Sequence, residues 1–182
     1  ALVEQIVSVA GSDKPVTVRR LPEKVSLEEV WRIPRTDDDH KHSIRLGIVD
    51  TDLGPARVDF SKVNTFLGVG ASESGRSNLI RVIARGIMRQ YTPEEAVIHM
   101  VDIKRHQLGV VTEKSGYLGH YCFLQDQVQG LAYELAAELQ SRQPEGKSDQ
   151  QMLMAGAQFT GKRIFVLVDD MTALVNMGMG LD

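Results

Sequence analysis

A single cysteine, Cys122, stands in a chain of 182 residues. It has no partner for an internal disulfide, so a disulfide scaffold is excluded and a reducing, cytosolic setting is the simplest home. Long apolar runs are missing as well. The longest uncharged one, Ile164-Phe165-Val166-Leu167-Val168, falls far short of the ~20 residues that a bilayer-spanning helix needs. Aromatics make up only 5% of the chain, and no stretch interleaves them with basic residues as a nucleic-acid strip does. An excess of one charge is also absent. The 21 Lys+Arg against 24 Asp+Glu leave a net charge of -3, which excludes a bulk basic field for DNA or an acidic membrane. The opening Ala1-Leu2-Val3-Glu4 has neither an initiator Met nor the basic start of a secretory leader. The last residues follow closely on a strongly predicted strand, so both ends read as cut from a longer polypeptide.

What is present is an ordinary globular balance, 42% apolar and 25% charged. Chains of this length hide roughly 70% of their extended surface on folding. Residues 1–10 are predicted as a short helix stopped by Gly11, and residues 16–19 as a brief strand. Ser26 and Glu29 form the S-x-x-E pattern of a capping box. Residues 35–42 are a polar loop and the best linker candidate. Strands over 43–49 and 56–60 flank the turn residues Asp50, Asp52, Gly54 and Pro55, a hairpin spacing. Residues 65–69 read as a buried strand, 75–90 as a helix, 97–103 as a buried strand and 121–124 as a further one. A long helix over 126–142, a loop at 144–148 and a buried strand over 163–168 follow. This alternation implies right-handed crossovers and a mostly parallel sheet covered on both faces.

The Gly-rich turn Gly70-Ala71-Ser72-Glu73-Ser74-Gly75-Arg76-Ser77 carries chemistry. Both glycines and the serine stand at the spacing of the phosphate loop, G-x-x-x-x-G-K-[ST], with Arg76 in place of Lys. Such a turn aims successive N–H groups at one centre, and the following helix adds its positive end. The Ser77 hydroxyl would ligate Mg²⁺. The turn follows a predicted strand and opens a predicted helix, which is the confirming context. A second strand ends in Asp169-Asp170. In phosphate-loop ATPases such an end places one Asp on Mg²⁺, and the next carboxylate, commonly Glu, polarises water. Asp170 is one methylene short of Glu, and Arg is bulkier than the Lys it replaces. Both departures argue against efficient hydrolysis.

Other residues read more plainly. His40-Lys41-His42 beside Asp37-Asp38-Asp39 is a solvated loop rather than a metal site. His99 is a satisfied core histidine, and Cys122 a small buried apolar residue. Asp102, Lys104 and Arg105 follow a strand that ends near the ligand-binding edge of the sheet, with a plain surface loop as the default and a role near phosphate or at a neighbouring module as the alternative. The methionines Met152, Met154, Met171, Met177 and Met179, with Met88 and Met100, serve as core filler or as an adaptable groove for a helix.

Together these stretches resemble the FtsK/SpoIIIE-type ATPase modules of the EccC family, the motors of mycobacterial type VII (ESX) secretion. The resemblance rests on Arg45-Leu46-Gly47-Ile48, Val58-Asp59-Phe60, the Gly-rich turn through Leu79, and Ala84-Arg85-Gly86-Ile87. It extends to Tyr91-Thr92-Pro93-Glu94-Glu95-Ala96, Val101-Asp102-Ile103-Lys104-Arg105 and the strand ending at Asp170. It implies an α/β, RecA-like phosphate-loop NTPase fold, cut off before the strands that complete such a sheet. The altered loop and the Asp-Asp end look most like the C-terminal, degenerate module of a tandem array. Residues 1–42 are then the linker and tail of a preceding module, and 43–182 the module itself.

The resemblance further implies ATP and Mg as ligands. Gly70, Ala71, Ser72, Glu73, Ser74, Gly75, Arg76 and Ser77 would surround the nucleotide, Ser77 and Asp169 would take the metal, and Asp170 would hold the catalytic place. The implied partners are the other ATPase modules of the same protein, WXG-type secreted substrates through their C-terminal signal, and a membrane secretion complex. The implied location is the cytoplasmic face of the inner membrane, and no nucleic acid is expected. The expected function is nucleotide binding and export-signal recognition with little or no hydrolysis. The alternatives are an active ATPase driving translocation and an FtsK-type DNA translocase, the latter disfavoured by the net charge.

Overall fold

The computed structural model describes residues 20–142 and 161–176. The expected helix over 1–10, the strand over 16–19, the loop at 144–148, and Met152, Met154, Met177 and Met179 lie outside the described residues.

Helix α1 (Leu27–Arg32) begins at a complete capping box. The Glu29 N–H donates to Ser26 Oγ at 3.2 Å, and the Ser26 N–H donates to Glu29 Oε2 at 2.7 Å. It stops at Ile33, which turns extended before Pro34, as the ring of a following proline demands. Val30 is buried, and α1 packs on strand β1. The polar loop that follows is anchored rather than free. Arg45 donates to Asp39 through Nε at 2.9 Å and a terminal nitrogen at 2.8 Å. Its other N–H groups reach the carbonyls of Val30, Ile33 and Pro34. One guanidinium therefore satisfies the open carbonyls at the end of α1 and ties them to β1.

Strands β1 (Ser43–Ile48) and β2 (Pro55–Asp59) pair antiparallel, with Ile44 opposite Val58 and a bulge between Arg45 and Gly47. Ile44 and Val58 turn into the main core, against Ile83, Ala84 and Ile87 of helix α2 (Arg76–Gln90). The hairpin packs tightly at Gly86, where a Cβ would collide with Ile44 Cγ2.

Strands β3 (Ala96–Asp102), β4 (Leu118–Cys122) and β5 (Arg163–Asp169) form a parallel sheet in the order β4-β3-β5. The period of two along β3 sorts its side chains. Ala96, Ile98 and Met100 join Phe165 and Leu167 under α2. Val101 joins Cys122 on the opposite face, under Val128 and Leu131 of helix α3 (Gln125–Ser141). Helices therefore cover both faces. Each fully buried Ile or Leu contributes about 1.5–3 kcal/mol, and Ile44, Ile87, Ile98 and Met100 are among the most completely buried. A short helix α4 (Met171–Asn176) follows β5.

Two expectations are corrected. Residues 65–69 are not a strand; Leu67 is 72% and Val69 87% exposed. A strand needs a neighbour to take its backbone groups, and among the described residues no strand pairs with this run or with the outer edge of β5. The strand expected at 121–124 lies earlier, at Leu118–Cys122, because Gln127 Oε1 accepts the N–H groups of Phe123 and Leu124 and turns the chain into α3. The β3–β4 crossover carries a 3₁₀ turn at Glu113–Ser115. Met100 is core, Met88 packs on it, and Met171 is exposed.

Candidate functional site

Register alone sets the stage, because Asp102 lies beside Asp169 at the carboxyl ends of β3 and β5. That edge is where open α/β sheets take ligands. The Gly-rich turn arrives at the same edge. Gly75 is the N-cap of α2 at φ 90, a left-handed conformation that suits glycine, and no side chain caps the helix start. No acid lies in the first turn. The opening N–H groups are therefore left for an anion. Residues 70–76 are exposed and Ser77 is half-buried.

Ser77 Oγ donates to Asp169 Oδ1 at 3.1 Å across 92 residues of chain. The other carboxylate oxygen, Oδ2, accepts from Gln107 Nε2 at 2.7 Å, and the same nitrogen donates to the Ser77 carbonyl at 3.0 Å. Arg81, one turn beyond Ser77, donates from Nε to Gln107 Oε1 at 3.3 Å and from a terminal nitrogen to the His106 carbonyl at 2.6 Å. Gln107 is itself set by Asp102, whose buried carboxylate accepts from the His106 and Gln107 N–H groups at 3.0 and 2.6 Å. The Tyr121 hydroxyl also donates to Asp102. Burial, then that hydrogen bond, pushes the Tyr121 phenol far above its usual range, so it remains a donor.

Asp170 faces elsewhere. It sits at φ 64. One carboxylate oxygen accepts the Ala173 N–H at 3.1 Å, capping α4, and the other pairs with Lys104. Lys104, then the Ala173 N–H, holds the Asp170 carboxyl below its ordinary value, with Arg76 adding its field.

The structure thus brings Ser77 and Asp169 together with the turn from Gly70 to Arg76, and directs Asp170 to Lys104. Of the residues read as a surface loop, Lys104 is exposed yet paired with Asp170, Arg105 lies over the Phe123 ring at 5.7 Å, and Asp102 is buried. Gln107, Arg81 and Tyr121 were missed. Only the nearness of Gln107 to the Asp102 strand end pointed to it. His99 is buried and stacks on His120, with 3.3 Å between their Nδ1 atoms. Cys122 is buried. His40 pairs with Asp59, and no group of three or more metal-ligating side chains forms among the described residues. No described helix is long and apolar enough to cross a membrane.

An ESX secretion system protein EccC from Thermomonospora curvata is 32% identical over 127 residues, 70% of this chain and 10% of that protein. The ESX-1 secretion system protein EccCb1 of Mycobacterium tuberculosis is 27% identical over 187 residues, 98% of this chain and 31% of the relative. The solved structure of T. curvata EccC, ATPases 2 and 3 in complex with a signal sequence peptide, aligns over 99% of this chain. Its TM-score is 0.72 at 27% identity. The chain resembles the EccC ATPase module. It spans only 10% and 31% of these two EccC relatives' lengths, and 31% of the aligned EccC structure. No family model matches the chain. The fold is the α/β fold of FtsK/SpoIIIE-type ATPase domains, with its parallel three-strand sheet flanked by helices.

Proposed function

We propose that the chain is a nucleotide-binding module of a type VII secretion motor, with little or no hydrolysis of its own. The observation that carries this reading is the 3.1 Å hydrogen bond from Ser77 to Asp169, which joins the Gly-rich turn to the acidic strand end. The donor set fits Mg²⁺, a hard ion that takes hydroxyl and carboxylate oxygens. Ser77 and Asp169 would hold the metal, and the N–H groups of residues 70–77 with Arg76 would take the phosphates. Bound there, Mg²⁺ would neutralise charge on the β- and γ-phosphates. Asp170 supports the low-turnover half of the reading. Both of its oxygens are engaged, by Lys104 and by the Ala173 N–H, which turn the carboxylate toward α4 and make it a weaker base for a water.

Recognition of export signals belongs to the same reading, and its support is the T. curvata EccC neighbour solved with a signal sequence peptide. WXG-type substrates, further ATPase modules and a membrane complex are the proposed partners, with residues 1–42 as a linker to a preceding module. Titration calorimetry with Mg-ATP tests the nucleotide claim. The natural chain is expected to bind, and Ser77→Ala to abolish binding. Equal binding by both would remove the Gly-rich turn from the site, and turnover at the rate of active ATPases would refute the low-hydrolysis half.

A further inference from the structure

We propose that Gln107 is a positioning residue for the metal site, holding Asp169 and Ser77 in the arrangement that Mg²⁺ requires. The inference rests on the nucleotide-binding reading above. Gln107 is 1% exposed, and a buried amide must satisfy its donors and acceptor. Its nitrogen donates to Asp169 Oδ2 and to the Ser77 carbonyl, and its oxygen accepts from Arg81 Nε. The reversed amide would set its oxygen against two acceptors and its nitrogen against a guanidinium donor. The network therefore permits one orientation.

The consequence lies in the carboxylate plane. With Oδ2 on Gln107 and Oδ1 on Ser77, Asp169 cannot rotate about its terminal bond. Its remaining lone pairs are aimed before any ion arrives. The same amide fixes the first turn of α2 through the Ser77 carbonyl. Gln107 is rigid in turn, because Asp102 grips its backbone N–H and that of His106. Groups that orient metal ligands in this way typically change metal affinity by about 10–100-fold when lost.

The test is titration of the full chain with a fluorescent ATP analogue, once with Mg²⁺ and once with EDTA. Gln107→Leu keeps the bulk and loses the donors. It is expected to weaken binding in Mg²⁺ by about tenfold or more and to leave binding in EDTA unchanged. Arg81→Met leaves the Gln107 donors in place but removes the bond that orients the amide, together with the one to the His106 carbonyl, and is expected to give a smaller loss in the same direction. If a thermal melt shows that Gln107→Leu does not fold, Arg81→Met decides the matter by the same two titrations. A full Mg²⁺-dependent gain in the folded variants overturns the inference alone. Equal losses with and without Mg²⁺ overturn it too, since they place Gln107 in the architecture of the turn. A natural chain with no Mg²⁺-dependent gain overturns the nucleotide reading and takes this inference with it.

Discussion

At the scale of single residues, the most heavily engaged charges lie outside the nucleotide site. Asp39 and Arg45 are 4% and 7% exposed, and the pair is bidentate. Asp39→Asn would leave a buried guanidinium without its counter-ion, a change that costs about 3 kcal/mol or more in comparable settings. Urea denaturation at neutral pH reads that loss. Acid does the same work on the natural protein. Arg45, donating to the carboxylate, holds the Asp39 carboxyl far below its ordinary value of 3.8. The pair's contribution is fully present above that value and is lost as pH falls through the lower folded one. Between neutral pH and acid, the natural chain is therefore expected to lose more stability than Asp39→Asn, and equal slopes would refute the assignment. None of this was legible beforehand. Residues 35–42 look like a solvated loop, because six residues of sequence separation say nothing about a guanidinium folding back. Gln107 was hidden for the same reason, with Asp169 62 residues away. Ser77 and Asp169 could be paired in advance only because each sits in a motif with a fixed chemical use.

At the scale of elements, local rules were readable and partner-dependent ones were not. The capping box of α1, the hairpin turn, and the apolar faces of α2 and β3 follow from neighbours within a few residues. Strand β4 was misplaced because its end is decided by the Gln127 side chain, which draws the chain into α3. Residues 65–69 have the composition of a strand and no neighbour to pair with among the described residues. Packing between elements sets a further constraint. At Gly86, α2 and β1 approach so closely that a methyl would meet Ile44 Cγ2. Alanine is the better helix former by about 1 kcal/mol, whereas overpacking costs about 1–3 kcal/mol. Gly86→Ala is therefore expected to be net destabilising in urea melts. The loss should shrink when Ile44→Ala makes room, since contacting sites are not additive. An additive double mutant would mean that the hairpin simply shifts away.

At the scale of the whole molecule, the sheet has one polar, ligand-facing edge and one open strand edge among the described residues. The carboxyl ends of β3 and β5 gather the polar network at one edge, while the outer edge of β5 has no paired strand among the described residues. The apolar run at 65–69 stands in water, with Leu67 and Val69 mostly exposed. Contiguous exposed apolar groups and open strand edges both promote association between chains. This 182-residue chain is therefore expected to self-associate with rising concentration in sedimentation velocity. The double variant Leu67→Lys with Val69→Lys is expected to remain monomeric, because two like charges on the run oppose the contact. Its melting temperature should match that of the natural chain, since exposed positions away from packing usually move stability by only about ±0.5 kcal/mol. If the double variant instead melts early, those side chains are buried in the folded protein in solution. A natural chain that stays monomeric would show that the edge is covered, and protection of the β5 amides from hydrogen exchange would then locate the cover.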